Sequence, residues 1–467
     1  MKEDLYVECF GSNPDTITRI TGEGSPRAYY RLSGSRSAIL TEGTSLREND
    51  AFIYLTRLFR DKGLPVPDIY RVSADGMAYL QSDLGDTSLY SLISRYGIDF
   101  PDVEKIYMRL VSILPEFQFG HSKLDKFRLY PRESMDHRAA MWDLNYFKYC
   151  FLKAVVKDFD EDALESDLLS FADDVIYNPE GALILRDLQS RNVMVVNDHP
   201  YIIDYQGARR GSCLYDLASL LWQARAGIPA DMRQRLINQY LESLNGIGIE
   251  IENFQERFYL TVLFRLLQVL GAYGFRGYFE RKAQFLTSIV PAVMNLREVL
   301  SDINPVKYPY LINLLSNIVD LPQFAPPLPR SGLLVTVKSF SYKMGLPEDL
   351  TGNGGGFVFD CRAVHNPGRY DEYKHLTGED APVMEFLERD GEMIRFLEHC
   401  YSLVDASVER YIDREFSDLM VCFGCTGGRH RSVYGAMRMA EHIHKKYGVA
   451  VSLEHREQGI VRKYEAI

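Results

Sequence analysis

Leu185-Arg186-Asp187-Leu188-Gln189-Ser190-Arg191-Asn192, answered a short strand later by Ile203-Asp204-Tyr205-Gln206-Gly207, decides the reading of the N-terminal part of this chain. The pair sets down one carboxylate, an amide five residues on, and a second carboxylate on the next strand. Phosphoryl transfer from a nucleotide needs groups at that spacing. Asp187 is placed to accept the proton of a substrate hydroxyl, and Asn192 and Asp204 to hold Mg²⁺ against the phosphates. A plain buried Asp187 is the structural alternative, but it leaves the intervals to Asn192 and Asp204 unexplained.

Upstream of this hairpin the pattern alternates. Ala28-Tyr29-Tyr30-Arg31-Leu32, Ser37-Ala38-Ile39-Leu40 and Met77-Ala78-Tyr79-Leu80-Gln81 read as strands. A helix is expected from Asn49 to Lys62, with Phe52, Leu55, Leu58 and Phe59 at helical spacing and Gly63 stopping it. Helices follow over Pro101–Gly120, His137–Lys157 and Ala163–Asp174, and resume from Tyr215 to Val319. A small β-rich lobe, then a larger helical lobe carrying the chemistry in a hairpin, is an α+β protein-kinase-like order. The loop Gly22-Glu23-Gly24-Ser25-Pro26-Arg27 precedes the first strand pair. Its small residues let backbone N–H groups approach phosphates, and Ser25 adds a hydroxyl donor; a bare hairpin turn is the alternative.

With 467 residues the chain exceeds the length of one core. Leu321-Pro322-Gln323-Phe324-Ala325-Pro326-Pro327-Leu328-Pro329-Arg330 carries four prolines, which favour an extended spacer. Domains are therefore expected at 1–325 and 331–467. In the second, Leu333–Phe340, Gly356–Asp360, Leu419–Phe423 and Ala450–His455 read as strands, and Pro382–Arg410 and Ser432–Tyr447 as helices, giving a smaller α/β domain. The net charge of −11 disfavours broad RNA binding. Seven cysteines show no disulfide-framework spacing. The acidic start lacks a signal core, and no run reaches the roughly 20 apolar residues of a membrane span. A cytoplasmic setting is expected.

Arg186-Asp187-Leu188-Gln189-Ser190-Arg191-Asn192-Val193-Met194, with Ile203–Ala208 and Tyr215-Asp216-Leu217-Ala218-Ser219-Leu220, resembles the aminoglycoside phosphotransferase superfamily. The likeness is closest to the N-acetylmuramate/N-acetylglucosamine anomeric kinases, and covers most of residues 1–320. The resemblance implies ATP- and Mg²⁺-dependent phosphorylation of a sugar hydroxyl, with Asp187 as base and Asn192 and Asp204 on the metal. It implies nucleotide contacts from Gly24, Ser25 and Arg27 in the N-lobe loop, and from Gln81 and Asp83 in Gln81-Ser82-Asp83-Leu84-Gly85-Asp86, which is similar to the family's hinge. Asp143 and Arg191 are candidate substrate contacts. The chain departs from the pattern in two places. No Lys occurs from Ser37 to Arg47, where the phosphate-binding lysine is expected, so Arg27 or Arg47 must supply the charge or Mg²⁺ carry more of it. Leu185 stands where many kinases have His. Asp216 either holds the catalytic loop or caps the next helix.

The second constellation is Val421-Cys422-Phe423-Gly424-Cys425-Thr426-Gly427-Gly428-Arg429-His430-Arg431-Ser432-Val433. A strand runs through a glycine-bearing turn into a helix, and free N–H groups with Arg429 and Arg431 make an anion site. Cys425 and Arg431 also have the Cys-x5-Arg spacing of cysteine-dependent phosphatases, and Cys422 with Cys425 forms a Cys-x-x-Cys. Together with Ser339–Pro347, Val358-Phe359-Asp360-Cys361-Arg362 and Leu376-Thr377-Gly378, this segment resembles the C-terminal domain of the RNase adapter protein RapZ. That resemblance implies a phosphosugar ligand such as glucosamine 6-phosphate, or small RNA, held by Asp360, Arg362, Thr426, Gly427, Gly428, Arg429, His430, Arg431 and Ser432. Gly368 stands where that family has a His. The expected function is an ATP- and Mg²⁺-dependent sugar kinase acting on an amino sugar such as N-acetylglucosamine or N-acetylmuramate, joined to a phosphosugar-binding domain. A regulatory adapter, with a nucleotide-binding pseudokinase lobe and an RNA- or protein-binding C-terminal domain, is the alternative.

Overall fold

The computed structural model describes residues 3–20, 27–324, 332–347 and 356–466. Gly24, Ser25 and the prolines of 326–330 lie outside the described residues. The chain divides into two compact units, Met1–Glu280 with Ser288–Ala325, and Arg281–Thr287 with Pro326–Ile467.

The first unit begins with the helix Asp4–Phe10 and a five-stranded antiparallel sheet. Its strands are β1 (Thr16–Ile20), β2 (Ala28–Ser33), β3 (Ala38–Glu42), β4 (Ile69–Val72) and β5 (Ala78–Ser82), in the order β1-β2-β3-β5-β4. The first helix and β1 were not read from the sequence. Leu5 and Tyr6 of that helix pack with Leu32, Leu40 and Leu80 of the sheet. The helix Leu46–Arg60 starts three residues before the expected Asn49, because Ser45 caps it by accepting the Glu48 N–H. Phe52 of this helix stacks between Tyr79 of β5 and Tyr205, and Thr56 and Tyr205 share a hydrogen bond of 2.6 Å. Tyr205 follows Asp204, so the packing of the sheet's helix reaches the site.

The remainder of this unit is helical. Pro101–Gln118, Glu161–Val175, Ala230–Gly246 and Phe254–Gly274 are its long members, and His137–Phe147 runs on through a π-turn at Lys148–Leu152. Two short hairpin pairs interrupt them: β6 (Leu183–Ile184) with β9 (Arg209–Arg210), and β7 (Val193–Val196) with β8 (His199–Ile202). Among the described residues one helix, Phe254–Phe279, is long and apolar enough by length and composition to cross a membrane, and 72% of its apolar window is buried within the structure. It crosses His137–Phe147 closely. A Cβ on Gly274 would lie 2.3 Å from the Cys150 carbonyl oxygen, and one on Gly271 2.8 Å from the Phe147 nitrogen. These obstacles are backbone, so Gly274→Ala is expected to destabilise the protein by about 1–3 kcal/mol, read as a lowered melting temperature.

The second unit is a mixed sheet of β10 (Leu334–Ser341), β11 (Gly356–Asp360), β12 (Asp418–Cys425), β13 (Ala450–His455) and β14 (Ile460–Tyr464). The order is β11-β12-β10-β13-β14, parallel except for β14. The helix expected over Pro382–Arg410 is two, Ala381–Glu388 and Glu392–Asp413, broken where Gly391 takes φ 73°. Val337, Val421, Phe423, Leu453, Met439 and Ile443 form the core between the sheet and its helices. Parallel strands bring their carboxyl ends to one edge, the usual place for a ligand crevice. Ser341, Asp360, Cys425 and His455 end their strands there.

Candidate functional site

Asp187 lies in the loop after β6, with its side chain half exposed. The backbone of this loop is fastened by one carboxylate, Asp216, which accepts the N–H of Leu185 and of Arg186, each at 2.9 Å. Asp216 therefore holds the loop that carries Asp187 rather than capping its own helix. Asp216 is fully buried, and burial pushes its carboxyl up to about 6 against the bonds from Leu185, Gln118 and Arg186. Arg186 and Asp204 adopt φ of 72° and 65°. Non-glycine residues in that region cost energy and persist only where their surroundings fix them.

Asn192 is brought to both carboxylate-bearing segments. Its Nδ2 donates to the Asp187 carbonyl at 2.9 Å and to Asp204 Oδ2 at 3.3 Å. Gln206 donates to Asp204 Oδ1 at 2.9 Å. Burial raises the Asp204 carboxyl above the usual carboxylate range. With Nδ2 engaged on the backbone, Asn192 keeps Oδ1 for another partner. Among the described residues no cluster of three or more His, Cys, Asp or Glu side chains is placed to hold a metal alone. The Asp204 carboxylate and the Asn192 amide oxygen are nonetheless hard donors of the kind Mg²⁺ takes when nucleotide phosphates and water complete its shell. The residues fit such an ion.

The N-lobe candidates divide. Arg27 is 6% exposed and pairs with Glu48 of the helix Leu46–Arg60 at 3.1 Å. Arg27 stands one residue before β2, and an ion pair between a cation beside the sheet and that helix is what a phosphate-binding lysine forms in a kinase lobe. Gln81 lies on β5, and its Oε1 is buried without a hydrogen-bond partner. Asp83 has a carboxylate already engaged by Arg31 at 2.7 Å, by the Ser37 hydroxyl at 2.5 Å and by the Gly85 N–H at 3.0 Å. Its side chain is thus taken up by groups of its own segment, of β2 and of Ser37 just before β3. Arg191 is exposed beside Asn192.

Asp143 also departs from the expectation of a substrate contact. It is 3% exposed, accepts from Gln268 Nε2 at 2.7 Å and faces Arg186 at 3.4 Å. Sequence reasoning missed Arg265, whose guanidinium reaches Asp187 Oδ1 at 3.7 Å. The signal available was an Arg and a Gln three residues apart inside an otherwise apolar helix.

In the second unit, the turn after β12 enters the helix Arg431–Tyr447. Cys425 Sγ sits 3.1 Å from the Ser432 hydroxyl. Burial pushes the Cys425 thiol up, but the Ser432 hydroxyl and the amides of Ser432, Arg429 and Gly427 outweigh it and leave the thiol below its usual range. Arg431 is 4% exposed; Nη1 donates to the carbonyls of Arg362 at 2.9 Å and Val364 at 2.8 Å, while Nε is buried with no partner. Thr426 and Gly427 are exposed beside it. Arg429 is exposed, and its guanidinium donates through Nε and Nη2 to the carbonyls of Leu376 and His375 at 3.1 and 3.0 Å. His430 is likewise bonded to the Tyr373 carbonyl at 2.9 Å. Asp360 and Arg362 pair with each other at 2.7 Å, and Arg362 lies 4.0 Å over the Tyr342 ring. Gly428, at φ 65°, packs against Ser341 and Glu457.

A two-lobed fold with this hairpin defines a kinase-like phosphotransferase class. Residues 16–249 match the phosphotransferase enzyme family, and residues 333–459 match the RapZ C-terminal domain. The chain belongs to the phosphotransferase enzyme family and carries a RapZ-type C-terminal domain. A nucleotide-binding protein of Xanthomonas campestris pv. campestris is 39% identical over 126 residues, covering 27% of this chain and 43% of that protein. A nucleotide-binding protein of Acidithiobacillus ferrooxidans is 38% identical over 130 residues, covering 28% and 42%. The chain thus spans less than half the length of these curated relatives. Among solved structures, a thermostable mutant of aminoglycoside phosphotransferase APH(4)-Ia shows 15% identity, covers 63% of this chain and 98% of that one, and gives a TM-score of 0.40. ADP-bound aminoglycoside phosphotransferase APH(2'')-Ib shows 10% identity, coverage of 66% and 99%, and a TM-score of 0.43.

Proposed function

We propose that the chain is an ATP- and Mg²⁺-dependent sugar kinase, acting on an amino sugar such as N-acetylglucosamine or N-acetylmuramate, with a phosphosugar-binding module at 331–467 following the kinase module at 1–325. The observation that carries the reading is the meeting of Asp187, Asn192 and Asp204 on a loop clamped by Asp216. Asp187 is the general base: it takes the proton of the sugar hydroxyl as that oxygen bonds to the γ-phosphorus and ADP leaves. When bound, Mg²⁺ neutralises the phosphate charge, held by Asn192 Oδ1 and Asp204. Arg27, braced by Glu48, takes the place of the absent lysine, and Gly24, Ser25 and Gln81 are assigned as further nucleotide contacts. Arg191 contacts the sugar.

In the C-terminal module, the exposed position of Thr426 and Gly427, the start of the helix at Arg431 and the unpartnered Arg431 Nε support a phosphate pocket. The acidic balance and the engagement of Arg429 and Arg362 by groups of their own domain favour a single small anion over RNA. The Asp187 constellation and the Arg27–Glu48 pair favour turnover over a pseudokinase lobe. Incubation with ATP, Mg²⁺ and a panel of hexoses and amino sugars is expected to yield ADP with at least one amino sugar. Absence of turnover on every sugar would refute the reading.

A further inference from the structure

Five side chains around the base form a closed ring. Arg265 Nη2 lies 3.7 Å from Asp187 Oδ1, and Arg265 Nη1 donates to Gln268 Oε1 at 2.5 Å. Gln268 Nε2 donates to Asp143 Oδ2 at 2.7 Å. Asp143 faces Arg186 Nη2 at 3.4 Å, and Arg186 returns to Asp187 through the peptide bond. The orientation of the Gln268 amide is not arbitrary. Tyr215 Oη, at 2.5 Å, and Arg265 both donate to its oxygen, so its NH₂ must face Asp143. Ser219 Oγ takes the Arg265 Nε at 3.1 Å, leaving that guanidinium one orientation.

The ring contains two arginines and two aspartates. Asp143, Gln268 and Arg265 are buried, while Asp187 is half exposed. Buried ionic groups persist where each is paired, and here Asp143 and Arg265 are enclosed, Arg186 is partly so, and Asp187 is presented outward. The ring also explains why Arg186 tolerates its left-handed backbone. Its N–H is held by Asp216 and its guanidinium by Asp143, so both ends of the strained residue are fixed.

We propose that Arg265 is a positioning residue for the base, aiming the Asp187 carboxylate at the acceptor hydroxyl, and that Asp143 and Gln268 act through it without touching substrate. This rests on the reading of Asp187 as the base. The ring is remote from the reacting atoms except at Asp187, so disturbing it displaces the base rather than the bound substrates. A displacement of about 1 Å costs on the order of 100-fold in rate.

The test is steady-state kinetics of the full chain on the sugar it phosphorylates or, where no sugar is accepted, on ATP hydrolysis with water as acceptor. Asp143→Asn keeps the shape and removes the charge. It is expected to lower kcat about 10- to 100-fold, with KM for ATP and for the sugar each within about twofold of wild type. Arg265→Met is expected to lower kcat at least as far, and Arg265→Lys, which keeps the charge but not the fork, to fall between. The lysine variant also stands in if the methionine variant does not fold. A raised sugar KM with unchanged kcat in Asp143→Asn would make Asp143 a substrate contact and overturn the ring. So would Arg265→Lys and Asp143→Asn variants that both keep wild-type kcat. A wild-type chain with neither sugar phosphorylation nor ATP hydrolysis would instead refute the base itself, and the ring's function with it.

Discussion

Asp187→Asn is expected to lower kcat for sugar phosphorylation by about 10²- to 10⁴-fold, the usual contribution of a general base, while KM for ATP stays near the wild-type value. The separation follows from the contacts of each group. The Asp187 carboxylate faces outward and is approached by Arg265, whereas its backbone carbonyl is what holds Asn192. An asparagine at 187 keeps that carbonyl, so Asn192 and Asp204 stay in place and only the proton acceptor is lost. Asp187 is itself half exposed, but the substitution takes the carboxylate away from the buried Arg265, so a modest loss of stability is expected beside the loss of kcat. A variant that keeps its full kcat would show that this carboxylate is not the base.

In the second module, Arg431→Ala is expected to weaken glucosamine 6-phosphate binding by roughly 10- to 100-fold, as loss of a charge-assisted bond does, measured by titration calorimetry on the full chain. Nη1 of Arg431 is anchored by the carbonyls of Arg362 and Val364, so the guanidinium is held ready rather than recruited. Its Nε has no partner within the protein and is the donor a phosphate would satisfy. Arg431→Lys keeps the charge but cannot serve both the carbonyls and a ligand, and falls between. Arg429→Ala, by contrast, removes a strut to the segment 375–376 and is expected to act mainly on stability. Equal affinity in wild type and Arg431→Ala would show that the pocket lies elsewhere.

Local features were the legible ones. Asp187, Asn192 and Asp204 stand close in the chain, and their hairpin brings them together with little help from distant residues. The strand-turn-helix at Cys425 to Ser432 was legible for the same reason. What escaped was long-range. Asp216 could be read two ways until its bonds to Leu185 and Arg186 decided for the clamp. Asp143 read as a substrate contact on a helix, yet it is buried and bonds to Gln268, 125 positions away in the chain. Arg429 looked like half of an anion-binding pair, but the turn carries it to the carbonyls of 375 and 376 while Arg431 faces inward. The edge strand β14 was missed because Val461, Arg462 and Lys463 leave too little apolar alternation to mark a strand.

The central claim is chemical: a phosphoryl group passes from ATP to an amino-sugar hydroxyl at Asp187. Mass spectrometry of the sugar after reaction with ATP and Mg²⁺ tests it most directly. The account predicts an amino sugar carrying one added phosphoryl group, formed in step with ADP and lost with Asp187→Asn. ADP formed without any phosphorylated sugar, or the same product from the Asp187→Asn variant, would contradict it.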